Sequence, residues 1–210
     1  MIILAHRGFW IQPEEKNSKA AFDRSFENEF GVETDIRDSA GRIFISHDMA
    51  KGTEMAIEEF LKLYNSYSAQ FPLALNVKAD GLFKAMAALV QNNKIDNYFF
   101  FDMSLPDALG YVKEGLKIFS RQSEYEKEPY LYKEASGIWL DEFQHHWIDE
   151  RIIQQHLAEK KKVCIVSPEL HKRNYREEWE HYKHITYKFG LENIMLCTDH
   201  PDVAKTFFNE

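Results

Sequence analysis
Short runs of β-branched, aromatic and aliphatic residues alternate along this chain with longer stretches whose apolar positions recur at helical spacing. Eight runs read as strands: residues 2–5, 32–36, 73–77, 98–102, 117–120, 137–140, 163–166 and 194–197. Between them, Ala21, Phe22, Ser25 and Phe26 fall on one helical face, and Ile57, Phe60, Leu61 and Tyr64 on another. Met86, Leu89 and Val90 follow, then Leu109 and Val112, then Ile152, Ile153, His156 and Leu157. Ser18, Pro106, Asp149 and Pro201 stand at cap or first-turn positions. Residues 122–135 carry no helical period and read as an irregular loop. Strands alternating with helices predict an α/β fold, a parallel eight-stranded (βα)8 TIM barrel, rather than a doubly wound sheet, which uses fewer strands. The 210 residues suit a single domain, 1–210, near the lower size limit of such a barrel. No linker or low-complexity tract marks an internal boundary.

A parallel barrel gathers its working groups at the C-terminal ends of its strands. His6 and Arg7 follow the first strand, Glu33 and Asp35 lie on the second, and Asn76 and Lys78 end the third. Asp102, Arg121, Asp141 and Ser167 end or follow the next four. Glu33 and Asp35 are two apart, so a strand points both carboxylates to one face. Turned inward they are costly unless compensated, and a hard cation such as Mg²⁺ or Ca²⁺ would compensate them. Taken alone, Glu-x-Asp also describes surface acids on a solvated strand. Residues 41–48 read as a small hairpin inserted after the second strand, turning at Asp38-Ser39-Ala40-Gly41 and carrying His47. Two histidines flanking a phosphorus centre can serve as general base and general acid. Each histidine alone is more often a hydrogen-bonded structural residue.

The combination is more specific. Ala5-His6-Arg7-Gly8, Asn17-Ser18-Lys19-Ala20-Ala21-Phe22, Glu33-Thr34-Asp35-Ile36-Arg37-Asp38 and His47-Asp48 occur in order, and Thr198-Asp199-His200-Pro201 closes the chain. This set resembles the glycerophosphodiester phosphodiesterase family, whose pattern runs His-Arg-Gly, Pro-Glu-Asn-Thr with Ala-Ala-Phe, Glu-x-Asp, His-Asp and a late Thr-Asp-x-Pro. The resemblance is sharp over residues 2–49 and 198–201. It implies a metal-dependent phosphoric diester hydrolase of lipid metabolism, releasing an alcohol and a glycerol phosphate from a small-molecule phosphodiester. It implies His6 and His47 as catalytic residues, Glu33 and Asp35 as metal ligands, and Arg7 and Lys78 on the phosphate. The family's third ligand is a glutamate, and the best register places Asn76 there. A register one step on would put Lys78 at that position, with Asp80 following. The Pro-Glu-Asn-Thr motif departs too: either Lys16 replaces the glutamate, or two residues are inserted and Glu14 keeps the role. Other readings are a cyclising phosphodiesterase, one acting on a glycerophosphate-decorated glycan, and a non-catalytic binding module on a decayed barrel.

Charge narrows the partners. Lys+Arg is 26 against Asp+Glu 34, a net charge of -8, which disfavours nucleic acid and anionic membranes. The first apolar run, residues 2–5, is too short for a secretory core, and no stretch reaches membrane-spanning length. No stable membrane anchor and a cytoplasmic location are therefore expected. Cys164 and Cys197 sit in strand-like runs and read as buried thiols. Glu124, Trp139 and Asp141 are possible pocket residues. His145-His146 reads as surface loop, because adjacent side chains diverge.

Overall fold
The computed structural model describes residues 1–68, 71–190 and 192–209. Its elements are β1 (Ile2–His6), α1 (Lys19–Glu27), β2 (Gly31–Ser39), β3 (Arg42–Ile45), α2 (Ile57–Asn65), β4 (Leu73–Val77), α3 (Phe83–Asn92), β5 (Tyr98–Phe101), α4 (Leu105–Lys113), β6 (Phe119–Gln122), β7 (Gly137–Leu140), α5 (Glu150–Ala158), β8 (Lys162–Val166), α6 (Arg176–Phe189), β9 (Ile194–Thr198) and α7 (Pro201–Asn209). The fold class is the predicted (βα)8 barrel: eight parallel strands alternate with helices, and β3 is the added hairpin strand. Among the described residues no helix is long and apolar enough to cross a membrane. By its contacts the chain divides into two compact units, residues 6–118, and residues 1–5 with the chain from Phe119 onward.

In the unit of residues 6–118, β2, β4 and β5 run parallel in that order, with Val32 opposite Leu73 and Asp35 opposite Asn76. β5 pairs onward with the chain leading to β6, where the Phe100 N–H donates to the Lys117 carbonyl at 2.9 Å. β3 returns antiparallel on β2, pairing Ile36 with Ile45 and Ser39 with Arg42. The turn is only Ala40 and Gly41, at φ 50° and 77°. Two left-handed residues match the strands' own twist, so the hairpin closes tightly. Asp38 and Ser39, expected in the turn, belong to β2. The faces expected of α1 and α2 are the ones buried, and Phe22 meets Phe60 edge-on at 4.7 Å. On α4 the expectation fails: Leu109 is exposed, and Ala108 and Tyr111 are buried instead. Tyr111 lies 4.8 Å from the Phe100 ring, and Gly110 rides against Phe83, which rolls the helix away from Leu109.

The other unit holds β1, β9, β8, β7 and β6, all parallel in that order. Cys164 on β8 and Cys197 on β9 are both buried. β6 begins two residues later than the pattern predicted, so Arg121 lies within the strand rather than after it. The strand can run into polar residues because they find partners. The Gln122 amide donates to the Lys127 carbonyl and meets His156 Nε2, both at 2.8 Å. The stretch after β6 has no α-helix among its described residues, as expected. Side chains hold it instead: Tyr132 Oη meets His156 Nδ1 at 2.9 Å, and Lys161 Nζ donates to the Ala135 carbonyl at 2.6 Å.

One glycine fixes the turn after β1. Gly8 has φ +82°, and a Cβ there would lie 2.8 Å from Ala21 Cβ and 3.0 Å from the Ala21 carbonyl carbon. The turn is pressed onto α1, where the Phe9 N–H reaches the Ala21 carbonyl at 3.0 Å. Gly8→Ala should therefore lose ~2 kcal/mol or more in urea denaturation, from backbone strain and overlap together. A midpoint unchanged from the parent would show that this turn has room to relax.

Candidate active site
The first three loops and strands of the unit of residues 6–118 place their polar residues side by side. Glu33 and Asp35 lie two apart on β2, and both are almost fully buried, at 2% and 1% exposure. His6, the last residue of β1, brings Nε2 to 3.9 Å from Glu33 Oε2. Arg7 follows at φ 58°, a left-handed conformation uncommon for a side-chain-bearing residue. That turn aims its backbone N–H at the Glu33 carbonyl, 2.8 Å, and at Glu33 Oε2, 3.3 Å. Its Nε lies 3.1 Å from Asp35 Oδ2, an ion-pair distance without hydrogen-bond alignment. Lys78, just past β4, holds Nζ at 3.4 Å from Asp35 Oδ1. Asn76 is buried beside them, directly opposite Asp35 in the parallel register.

Two acceptors in this set take no hydrogen bond: the buried Asp35 Oδ1 and Asn76 Oδ1. Leaving a buried oxygen unmatched costs on the order of 1–3 kcal/mol. Burial, and after it the Asp35 charge, raise the Glu33 carboxyl to about 7 against the opposing pull of His6, Arg7 and Lys78. Burial thus disfavours the charged form of Glu33 even with Arg7 and Lys78 nearby. Two carboxylates and an amide oxygen form a hard-oxygen donor set, the chemistry that Mg²⁺ and Ca²⁺ select. The residues present fit such an ion.

His47 comes from the hairpin. The Ser46 N–H donates to the Asp35 carbonyl at 2.9 Å, docking the end of β3 on β2. His47 itself is 45% exposed, and its Nδ1 meets Asp48 Oδ1 at 2.9 Å. The hydrogen bond and charge of His47 hold the Asp48 carboxyl below its usual range, with smaller help from Arg7 and Arg37. In the loop after β1, Glu14 is exposed, whereas Glu15 holds the structure. Glu15 accepts from the Ile11 N–H at 2.7 Å and pairs with Arg24 at 3.1 and 3.2 Å.

The remaining expected residues lie in the other unit. Trp139 is buried on β7. Asp141 is buried beyond it, with Oδ1 2.6 Å from His171 Nε2. The Glu124 carboxylate accepts the backbone N–H groups of Phe143, Gln144 and His145 at 3.1, 2.8 and 3.2 Å, so it orders a loop. It also helps line a cavity of about 440 Å³ with Gln122, Lys127, His145, Trp147 and Ile152.

Sequence reasoning missed several groups. Asn17 contacts Asp35 and Thr34. Its signal was its place in the Asn-Ser motif. Glu169 accepts from the Asp199 N–H at 3.1 Å and from Thr198 Oγ1 at 2.5 Å, so the Thr-Asp-x-Pro motif is tied to the end of β8. His146 lies exposed in a loop, as expected, but it has close acidic neighbours. Together with Glu142 and Glu178 it offers ligand atoms within 4.8 Å of one another. Arg173 already pairs with both glutamates there, and Tyr182 Oη donates to Glu142 at 2.9 Å, so the cluster reads as an ion-pair network.

No protein-family model matches the sequence, and no curated protein matches it. Solved structures do match. One is a candidate glycerophosphodiester phosphodiesterase from Galdieria sulphuraria, at TM-score 0.80 and 16% identity, covering 100% of this chain and 98% of that one. Another is a glycerophosphodiester phosphodiesterase from Agrobacterium tumefaciens, at TM-score 0.72 and 15% identity, covering 100% of both chains. At these identities the likeness establishes the fold.

The raised Glu33 carboxyl has a consequence for stability. Its folded value of about 7 exceeds the ordinary 4.5, so the folded state holds the proton more tightly than the unfolded chain. The stability it allows is full below pH 4.5 and is lost as pH rises through about 7. Without divalent ions, Glu33→Gln should be more stable than the parent at pH 8, by on the order of 2 kcal/mol, and near parity at pH 5. Denaturant titrations at the two pH values measure this. A variant less stable at pH 8 would mean that the carboxylate is compensated within the protein.

Proposed function
We propose that this chain is a divalent-metal-dependent phosphodiesterase of the glycerophosphodiester phosphodiesterase family, working as one barrel domain, 1–210, on a small-molecule phosphodiester. One observation carries the reading: Asp35 Oδ1 and Asn76 Oδ1, on residues buried opposite each other on β2 and β4, take no hydrogen bond, and they lie beside the buried Glu33 carboxyl. The ordered motifs around His6, Asn17, Glu33 and His47, and the fold shared with the two phosphodiesterase-named structures, support the same reading.

Glu33, Asp35 and Asn76 would hold the ion, Mg²⁺ or Ca²⁺. When bound, it supplies a Lewis acid for a phosphate oxygen and lowers the pKa of a nearby hydroxyl or water. Arg7 and Lys78 offset charge that builds on the phosphoryl oxygens. One histidine of His6 and His47 takes the proton of the attacking oxygen as its bond to phosphorus forms. The other protonates the departing alcohol oxygen as the P–O bond breaks. Asp48, bonded to His47 Nδ1, fixes that ring and leaves Nε2 for proton transfer.

Glycerophosphodiesters with different alcohol groups, assayed with Mg²⁺, Ca²⁺, Mn²⁺ or chelator, test this. The expected outcome is ion-dependent release of glycerol phosphate. His6→Ala and His47→Ala should each lower turnover by ~10²-fold or more, and the double variant by little beyond that, because the two act as a unit. Absence of turnover on every substrate with every ion would overturn the reading, and a cyclic product would redirect it to a cyclising enzyme. Asn76→Glu should bind the ion more tightly in calorimetric titration, since it adds a charged ligand. Unchanged affinity would remove residue 76 from the coordination shell.

A further inference from the structure
Asp35 has two carboxylate oxygens, and their surroundings differ. Oδ2 is engaged: it accepts a hydrogen bond from Asn17 Nδ2 at 3.0 Å and lies at ion-pair distance, 3.1 Å, from Arg7 Nε. Oδ1 receives no hydrogen bond and faces Lys78 at 3.4 Å. The carboxylate is thus held with one oxygen occupied and the other presented. Asn17 is held in turn. Thr34 Oγ1 donates to Asn17 Oδ1 at 2.8 Å, which directs the amide nitrogen, the donor end, toward Asp35. Thr34 is fully buried on β2, between the two acids in sequence but pointing to the opposite face. The Asn17 backbone N–H donates to the Arg7 carbonyl at 2.8 Å, locking the two loop residues together.

The backbone explains the residue type. Asn17 sits at φ 59°, just before Ser18, whose Oγ accepts the Ala21 N–H at 3.3 Å and caps α1. Left-handed backbone at that point admits Gly, Asn or Asp with least strain. Glycine has no side chain to reach Asp35, and aspartate would set a second negative charge against it. Asparagine alone of the three donates to Asp35 while accepting from Thr34. A left-handed side-chain-bearing residue retained beside a buried acid is the kind of outlier that points to function.

We propose that Asn17 is a positioning residue: held by Thr34, it fixes Asp35 so that only Oδ1 is offered to the bound cation. This rests on the ion-binding reading given above. It assigns Asn17 no contact with the ion or the substrate.

The test is calorimetric titration with Mn²⁺, without substrate, at a temperature where each variant is folded by circular dichroism. Asn17→Ala should weaken Mn²⁺ binding by about 10-fold or more, the usual effect of losing a residue that orients a ligand. Thr34→Val is near-isosteric and leaves every ion-facing group in place. It should weaken binding by about 5-fold, through an amide no longer held in one orientation. The double variant should bind no more weakly than Asn17→Ala, because Thr34 acts through Asn17. A merely structural role would lower the melting temperature and leave Mn²⁺ affinity intact, so parental affinity in both single variants overturns the proposal. If Asn17→Ala does not fold, Thr34→Val alone decides. If the parent binds no Mn²⁺, the ion-binding reading falls and this proposal falls with it. Weak binding in the variants beside tight binding in the parent upholds both.

Discussion
Glu33 and Asp35 point from one face of β2 and are almost fully buried, and the segments around them in the unit of residues 6–118 are arranged to meet them. An unpaired buried carboxylate is among the least favourable groups a core can hold. The protein meets the demand from four segments. The turn after β1 supplies the Arg7 N–H and guanidinium, the loop before α1 supplies the Asn17 amide, the residue after β4 supplies a lysine, and β1 ends on an imidazole. Two backbone positions, Arg7 and Asn17, adopt left-handed conformations in making these contacts. Even so, Glu33 keeps a raised carboxyl, and Asp35 Oδ1 and Asn76 Oδ1 take no hydrogen bond. A network tuned only for stability would close that gap; the proposed cation would fill it.

The hairpin follows from the same strand. β2 runs past the end of its pairing with β4, and the two-residue turn at Ala40-Gly41 sends β3 back along it. Ser46 then bonds to the Asp35 backbone, so His47 leaves β3 from a point fixed on the acid-bearing strand. Asp48 orients the ring without burying it, which suits a group that exchanges protons with a bound molecule.

Most of the strand frame was legible because most strands are short apolar runs bounded by polar or glycine residues. β6 was misplaced by two residues because Arg121 and Gln122 look like loop, whereas partners in the following loop, Glu126 and Lys127, and the distant His156 hold them in a strand. α4 was misread because Leu109 has the composition of a core residue, while Gly110 and Tyr111 decide the packing. In the site, residues carried by strand spacing and motif order were legible: His6, Arg7, Glu33, Asp35, Asn76 and Lys78 come together. The supporting contacts were not, since they join residues 17 or 18 positions apart at Asn17 and 29 or 30 at Glu169. Local pattern carries no information about such pairs.

The account turns on whether the acid pair takes up a cation, and Glu33 reports that directly. Carbon-13 NMR of the side-chain carboxyl, titrated against pH with and without saturating Mg²⁺ or Ca²⁺, reads its protonation. The account predicts a midpoint near the raised value of about 7 in ion-free protein, falling into the ordinary carboxylate range once the ion is present. A midpoint that is ordinary from the start, or that neither ion moves, would contradict it.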